Sequence, residues 1–243
     1  MNAGRLRAVI RKELRDYRRN KFIVGTMVVL PLFFLIIPMS EVLALKGSTP
    51  EAAVKATVGS ATLLFFLVPL ILPTVIAAQA VVGERDQGTL EPVLTTPVLR
   101  EELLMGKALA AIVPTVLIAY ALTAAFGLAV RARGVALVVH LFWQPTQLVA
   151  TVLFAPLLAA FSIWVGLAIS TRANDVRVAQ QLSSLATLPM LGLLALFTFR
   201  VIEPSVGVAL AGAALLTVID AGAWRLVSTM FDRERLLTRY GPS

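Results

Sequence analysis

Stretches free of charge recur along this chain, and short polar clusters separate them. A helix crossing a hydrocarbon core of about 30 Å needs about 20 apolar residues. On that criterion the chain predicts membrane-spanning helices over residues 22–45, 56–83, 108–130, 147–170, 178–199 and 204–225. Residues 134–171 carry no charge yet exceed one straight span, and His140, Gln144, Pro145 and Gln147 punctuate their first third. An interfacial segment near 135–143, followed by a helix from 147, accommodates them. The expected fold is therefore an all-α integral membrane protein with six transmembrane helices, a single transmembrane domain over residues 1–243.

Ahead of the first span, Leu6, Val9, Ile10, Leu14 and Tyr17 recur at helical spacing, while Arg7, Arg11, Arg15 and Arg18 line another face. Residues 1–21 read as a basic amphipathic helix in the membrane interface, its apolar side in the acyl boundary. A basic start before an apolar run is also the form of a secretory signal, whose apolar region is about 7–15 residues long. The run from Phe22 is longer and five further spans follow, so the segment is expected to be retained. It can act as a topology signal alone, or as an elbow that supports a moving bundle beside a cytosolic partner.

Composition agrees with the pattern. The chain is 58% hydrophobic and 15% charged, against about 25% charged in soluble chains. The absence of Cys excludes disulfide frameworks, zinc-thiolate sites and cysteine nucleophiles, and His140 is the only histidine. The net charge of +8 sits beside apolar spans, which points to an inner leaflet rather than to nucleic acid. Seventeen Lys and Arg residues fall on the side of the N-terminus, among them Arg85, Arg100, Lys107, Arg172, Arg177 and Arg225. Five, namely Lys46, Lys55, Arg131, Arg133 and Arg200, fall on the other. Both termini are expected in the cytoplasm.

The segment 84–107 is the richest connection. Thr89 can cap a short helix, with Glu91 in its first turn and Pro92 tolerated there. Leu90, Val93 and Leu94 then share one side, and Thr96 caps a second helix with Pro97 at its first position. These residues alone admit two readings: a helix that docks in a groove on another protein, or a turn that lies on the lipid.

The same segment resembles the signature of the ABC-2 type permease family at Glu84, Arg85, Gly88, Thr89, Leu90, Glu91, Leu94, Pro97, Arg100, Gly106 and Lys107. The run RKELRDYRRNK at 11–21 is similar to the Lys-Glu-Leu and basic residues that family members carry before their first span. STRANDVRVAQQLSSLATLP at 170–189 resembles their loop before the fifth. The resemblance implies a permease subunit of an ABC transporter, usually an exporter, in the cell membrane. Its loop between the second and third spans acts as a coupling helix on a separate ATPase. The ATPase-coupling residues are then Glu84, Arg85, Gly88, Thr89, Leu90, Glu91, Val93, Leu94, Pro97 and Arg100, with Glu84 and Glu91 pairing with basic residues of the ATPase. No cofactor is expected on this chain, because Glu101 stands where a Gly-x-x-x-x-Gly-Lys-Ser/Thr loop ending at Gly106-Lys107 would begin. ATP and Mg belong to the partner. The implied partners are that ATPase, a second permease subunit (a copy or a paralogue) and the lipid bilayer, with no nucleic acid. The connections at 45–55 and 200–204 are too short for the external domain or re-entrant helices of many relatives.

Polar residues within the spans are candidates by cost alone. Asp220 is read either as a functional acid or, more simply, as a residue near the inner interface paired with an Arg. Gln79, beside the 84–107 segment, has an interhelical hydrogen bond as its simplest reading. Ser162, Gly166 and Ser170 form a small-residue stripe of the kind that packs helices closely. A secondary transporter or channel is the competing function. It would need no ATPase, but it would be expected to show intramembrane ionisable pairs.

Overall fold

The computed structural model describes residues 2–84, 88, 99–199, 201, 203 and 205–230. Among these there are eight α-helices and no strand: α1 Ala3–Arg19, α2 Lys21–Ala44, α3 Glu51–Ala78, α4 Arg100–Arg133, α5 Ala136–Phe142, α6 Pro145–Ser170, α7 Val176–Thr198 and α8 Val206–Met230. Six of them, α2, α3, α4, α6, α7 and α8, are long and apolar enough to cross a membrane. The short α5 occupies the place of the expected interfacial segment and packs mainly on α3 and α4.

Helix α3 is the centre of the bundle. It packs against α6, α7, α2 and α4, and α6 in turn carries α8. Close approach of α3 and α6 depends on Gly166, since a Cβ there would collide with the Cβ of Ala77. One turn on, Ser170 Oγ accepts from the Val82 amide at 3.2 Å and donates to the Ala78 carbonyl at 3.4 Å. The Val82 amide belongs to a π-helical turn, Gln79–Gly83, that prolongs α3, and the Ala78 carbonyl immediately precedes it; a widened turn leaves such groups in need of partners. Of the stripe, Gly166 and Ser170 thus face α3, whereas Ser162 is buried with no hydrogen-bond partner for its hydroxyl among the described residues.

The periphery is apolar and open. Val28, Phe33 and Ile36 on α2, Leu185 and Leu193 on α7, and Leu215 and Val218 on α8 are all more than half exposed. Surfaces of this kind are covered by lipid or by another subunit in a membrane protein.

Boundaries differ from the sequence expectation in instructive places. Helix α4 starts at Arg100, eight residues before the apolar run, because its charged Glu102 and Lys107 are buried against α1. Leu99 precedes the helix, is extended and donates its amide to Glu102 Oε2 at 3.1 Å; the cap expected at Thr96 lies outside the described residues. Helix α8 continues to Met230, beyond the expected end at 225. Asp220 therefore lies well inside a helix rather than at its edge, buried among the apolar seam positions Ala209, Ala213, Leu216 and Val227. Neither of its oxygens has a hydrogen-bond partner among the described residues, and the anticipated pair with an Arg is not formed there.

The stripe of α1 is divided: Val9 and Tyr17 are buried, Leu6 and Ile10 partly so, and Leu14 is exposed. Val9, Glu13 and Tyr17, one turn apart, are buried against the bundle, and α1 packs on α4. The arginines Arg7, Arg11, Arg15 and Arg18 are exposed on the opposite side.

Candidate functional site at the two ends of the 84–107 segment

Helix α1 is placed by its caps and by one glycine. The Asn2 side chain accepts from the Gly4 amide at 2.9 Å, and the Asn2 amide donates to Glu102 Oε1 at 2.6 Å. At the other end Asn20 terminates α1 and its side chain caps α2 through the amides of Phe22 and Ile23. Between these points α1 crosses α4 at Gly106. A Cβ on Gly106 would lie 2.5 Å from Val9 Cγ1 and 2.8 Å from Val9 Cβ.

One turn from that crossing, charges are buried together. Lys107 is 1% exposed, and its Nζ lies 3.0 Å from Glu13 Oε1 and 2.9 Å from Glu84 Oε2. Lys12 completes the group: its Nζ lies 3.1 Å from Glu13 Oε1, 3.3 Å from Asp16 Oδ2, and also bonds Glu84 Oε1. Isolated buried charges are costly, so such a group persists only when each member is paired. Glu84 closes the π-helical end of α3 and Lys107 sits in the first turns of α4. The two ends of the 84–107 segment are thus fastened to each other and to neighbouring residues of α1, Glu84 to Lys12 and Lys107 to Glu13.

The neighbours decide the ionisation here. Burial alone would raise the pKa of Glu13, but Lys107 and Lys12 outweigh it and hold it below the ordinary carboxylate value. Burial would lower Lys12, but Glu13 and Glu84 outweigh it and raise its pKa. Tyr17 is pushed well up, by burial first and then by Glu13, Glu84 and Asp16. A cavity of about 570 Å³ adjoins the cluster, with Lys12, Glu13, Asp16, Tyr17, Gln79 and Glu84 in its wall.

Of the residues singled out in the sequence, the structure joins Glu84 to this cluster, facing inward and only slightly exposed. Arg100 is half-buried at the start of α4. Gly88 is exposed with φ +67°, a left-handed conformation that glycine adopts without strain. Gln79 lines the cavity with its side chain folded over Gly83, and makes no interhelical hydrogen bond among the described residues. Arg85, Thr89, Leu90, Glu91, Val93, Leu94 and Pro97 lie outside the described residues. Lys12, Glu13 and Lys107 stand in the family-like runs of the sequence, but nothing there gives them a role in the site. The available signal was Glu13 itself, a charge at a stripe position between Val9 and Tyr17.

Residues 7–220, which include the whole of this arrangement from Lys12 to Lys107, match the family of ABC-2 family transporter proteins. The chain belongs to the ABC-2 transporter family. Two curated relatives of this ABC-2 protein are each named as a probable ABC transporter permease protein NosY. The one from Pseudomonas aeruginosa is 39% identical over 100 residues, covering 41% of this chain and 36% of that protein. The one from Stutzerimonas stutzeri is 35% identical over 103 residues, with 41% and 36% covered. The matched stretch spans little more than a third of each relative's length. With six helices able to span a bilayer, this ABC-2 family member is a multi-pass protein of the cell membrane.

Proposed function

We propose that this chain is the permease subunit of an ABC exporter, with both termini in the cytoplasm. It is driven by a separate ATPase, which binds ATP and Mg and docks on the 84–107 segment. The observation that carries this reading is the family match over residues 7–220, together with the anchoring of both ends of that segment at Glu84 and Lys107. Because Glu84 is turned inward, its role is at the base of the segment, and the charge offered to the ATPase is that of Glu91. Six spans make too small a bundle to enclose a pathway, so the working unit contains two permease subunits and two ATPases. The exposed faces of α2, α7 and α8 supply apolar surface for subunit and lipid contacts. Walls of Leu, Val, Ala and Phe suit an amphiphilic or lipophilic cargo better than a sugar polymer.

The test is a substitution in the segment. Burying one of Leu90, Val93 or Leu94 in a groove is worth roughly 1.5–3 kcal/mol, so its loss weakens docking about tenfold or more. Leu90→Asp or Glu91→Arg should leave the permease inserted while ATPase stimulation and export fall together. The isolated ATPase should keep its basal rate, and Pro97→Ala should do less. Normal transport by Leu90→Asp with the ATPase still bound would refute the docking.

A further inference from the structure

The cavity of about 570 Å³ beside α1 falls within the usual size of ligand pockets, about 300–1,000 Å³. Part of its wall consists of polar groups that the charge cluster leaves unused. Arg19, the last residue of α1, lines the cavity and makes no ion pair or side-chain hydrogen bond among the described residues. Asp16, one turn earlier, is about half exposed, and its carboxylate meets only Lys12, at 3.3 Å. Asp16 and Arg19 do not pair with each other. The Asn20 side-chain oxygen is occupied by the amides of Phe22 and Ile23 at 3.0 and 3.3 Å, which leaves its amide nitrogen to donate elsewhere. Gln79, at the end of α3, folds its side-chain oxygen over Gly83, and its amide nitrogen bonds no described residue.

A guanidinium flanked by amide donors is the chemistry that holds a phosphate, and a carboxylate one turn away is the chemistry that holds an ammonium. The charges around the cavity balance: Lys12 and Arg19, with Lys107 behind them, against Glu13, Asp16 and Glu84. A ligand of either sign alone gains little from such a wall, whereas one that carries both signs is matched group by group. The height of the cavity says where that ligand comes from. Ile23, in the first turn of the membrane-spanning α2, is part of the wall, so the cavity lies where the apolar span begins, at the level of lipid headgroups. We propose that this cavity binds a membrane phospholipid whose headgroup carries a phosphodiester and a primary ammonium, the phosphate on Arg19, Asn20 and Gln79 and the ammonium on Asp16. The site is independent of any docking on the 84–107 segment.

The test is a lipid titration of the purified permease in detergent, read by native mass spectrometry. Phosphatidylethanolamine carries both groups, phosphatidylcholine keeps both charges but has no N–H to donate, and phosphatidylglycerol keeps the phosphate and lacks the amine. The first should bind about tenfold more tightly than either of the others, the size of one lost charge-assisted hydrogen bond. Arg19→Gln should weaken all three lipids by about tenfold. Asp16→Asn should abolish the preference for phosphatidylethanolamine while leaving phosphatidylglycerol unchanged. Arg15→Gln removes the same charge from an exposed position of α1 outside this cavity, and should bind as the parent does. Equal binding of the three lipids by the parent overturns the proposal. So does an Arg15→Gln loss as large as that of Arg19→Gln, which would mean a general attraction to a basic helix. O-phosphorylethanolamine, the same headgroup without its acyl chains, should not displace the lipid at equal concentration. If it does, the ligand is a soluble phosphate ester and the lipid assignment falls.

Discussion

Gly106→Ala sets two opposed effects against each other at the crossing of α1 and α4. In a helix interior the change favours folding by about 1 kcal/mol, since alanine loses less backbone freedom than glycine. Against that, the new Cβ would stand 2.8 Å from Val9 Cβ and 2.5 Å from Val9 Cγ1. Ordinary carbon contacts are about 3.5–4.0 Å, and Val9 Cβ is bonded to the backbone, so α1 itself must retreat by about 1 Å. The Lys107–Glu13 contact of 3.0 Å would then stretch to about 4 Å, beyond hydrogen-bond length. Overpacking costs typically 1–3 kcal/mol and a weakened buried charge contact adds to it, so the clash outweighs the propensity gain. The expected result is a permease less stable by about 1–2 kcal/mol, with earlier hydrogen exchange along residues 3–19. Adding Val9→Ala removes the Cγ1 contact but not the Cβ one, so the pair should cost less than the sum of the singles. Thermal unfolding in detergent, with hydrogen exchange resolved on α1, measures both. Were Gly106→Ala more stable than the parent, with α1 protection unchanged, the close approach would be wrong.

Other expectations follow from the same geometry. Because the folded-state pKa of Glu13 lies below its ordinary 4.5, its contribution is complete above that value and is lost as pH falls through the lowered one. Proteolysis of α1 should accelerate on acidification below about 4 and stay flat through neutrality; acceleration already between pH 6 and 7 would contradict the pairing. Gly166→Leu should separate α3 from α6 and, as an overpacked core substitution, destabilise by about 1–3 kcal/mol, whereas Gly25→Leu, with nothing within 4 Å of its Cβ position, should be tolerated. Both are read by thermal unfolding. Cysteines introduced at Ser48 and Arg133 should label from outside intact cells and one at Ser243 should not; inside labelling at Ser48 would reverse the orientation drawn from the basic residues.

The spans were legible because about 20 consecutive apolar residues have few other uses. The separate short helix α5 was legible because His140, Gln144 and Pro145 interrupt a run too long for one helix. Periodicity also found the stripe of α1, but a stripe does not say what covers it. Tyr17 and Val9 suit lipid or protein equally, and only Glu13 between them argued for protein. The charge cluster was hidden for a different reason. Glu13, Glu84 and Lys107 are far apart in the chain, and nothing in the sequence says that they pair with one another: the resemblance turns Glu84 towards a partner protein, and Glu13 lies in a separate helix. Lys107 in particular read as the end of a loop, when burial by α1 makes it part of a helix that began at Arg100. Asp220 was placed near a helix end because Trp224 and Arg225 resemble a boundary, yet the helix runs on to Met230.

The junction at Asn20 has a mechanical consequence. One extended residue separates α1 from α2, its amide reaching back to Asp16 and Tyr17 and its side chain reaching forward to Phe22 and Ile23. Consecutive Cα atoms are only about 3.8 Å apart, so the link has no slack to absorb a displacement. The link fixes distance, not angle: the dihedrals of Asn20 can let α1 pivot, but a shift of α1 along its own axis has to be passed on at Lys21. Of the movements open to α1, sliding is therefore the one that α2, a 24-residue helix ending at Ala44, must share.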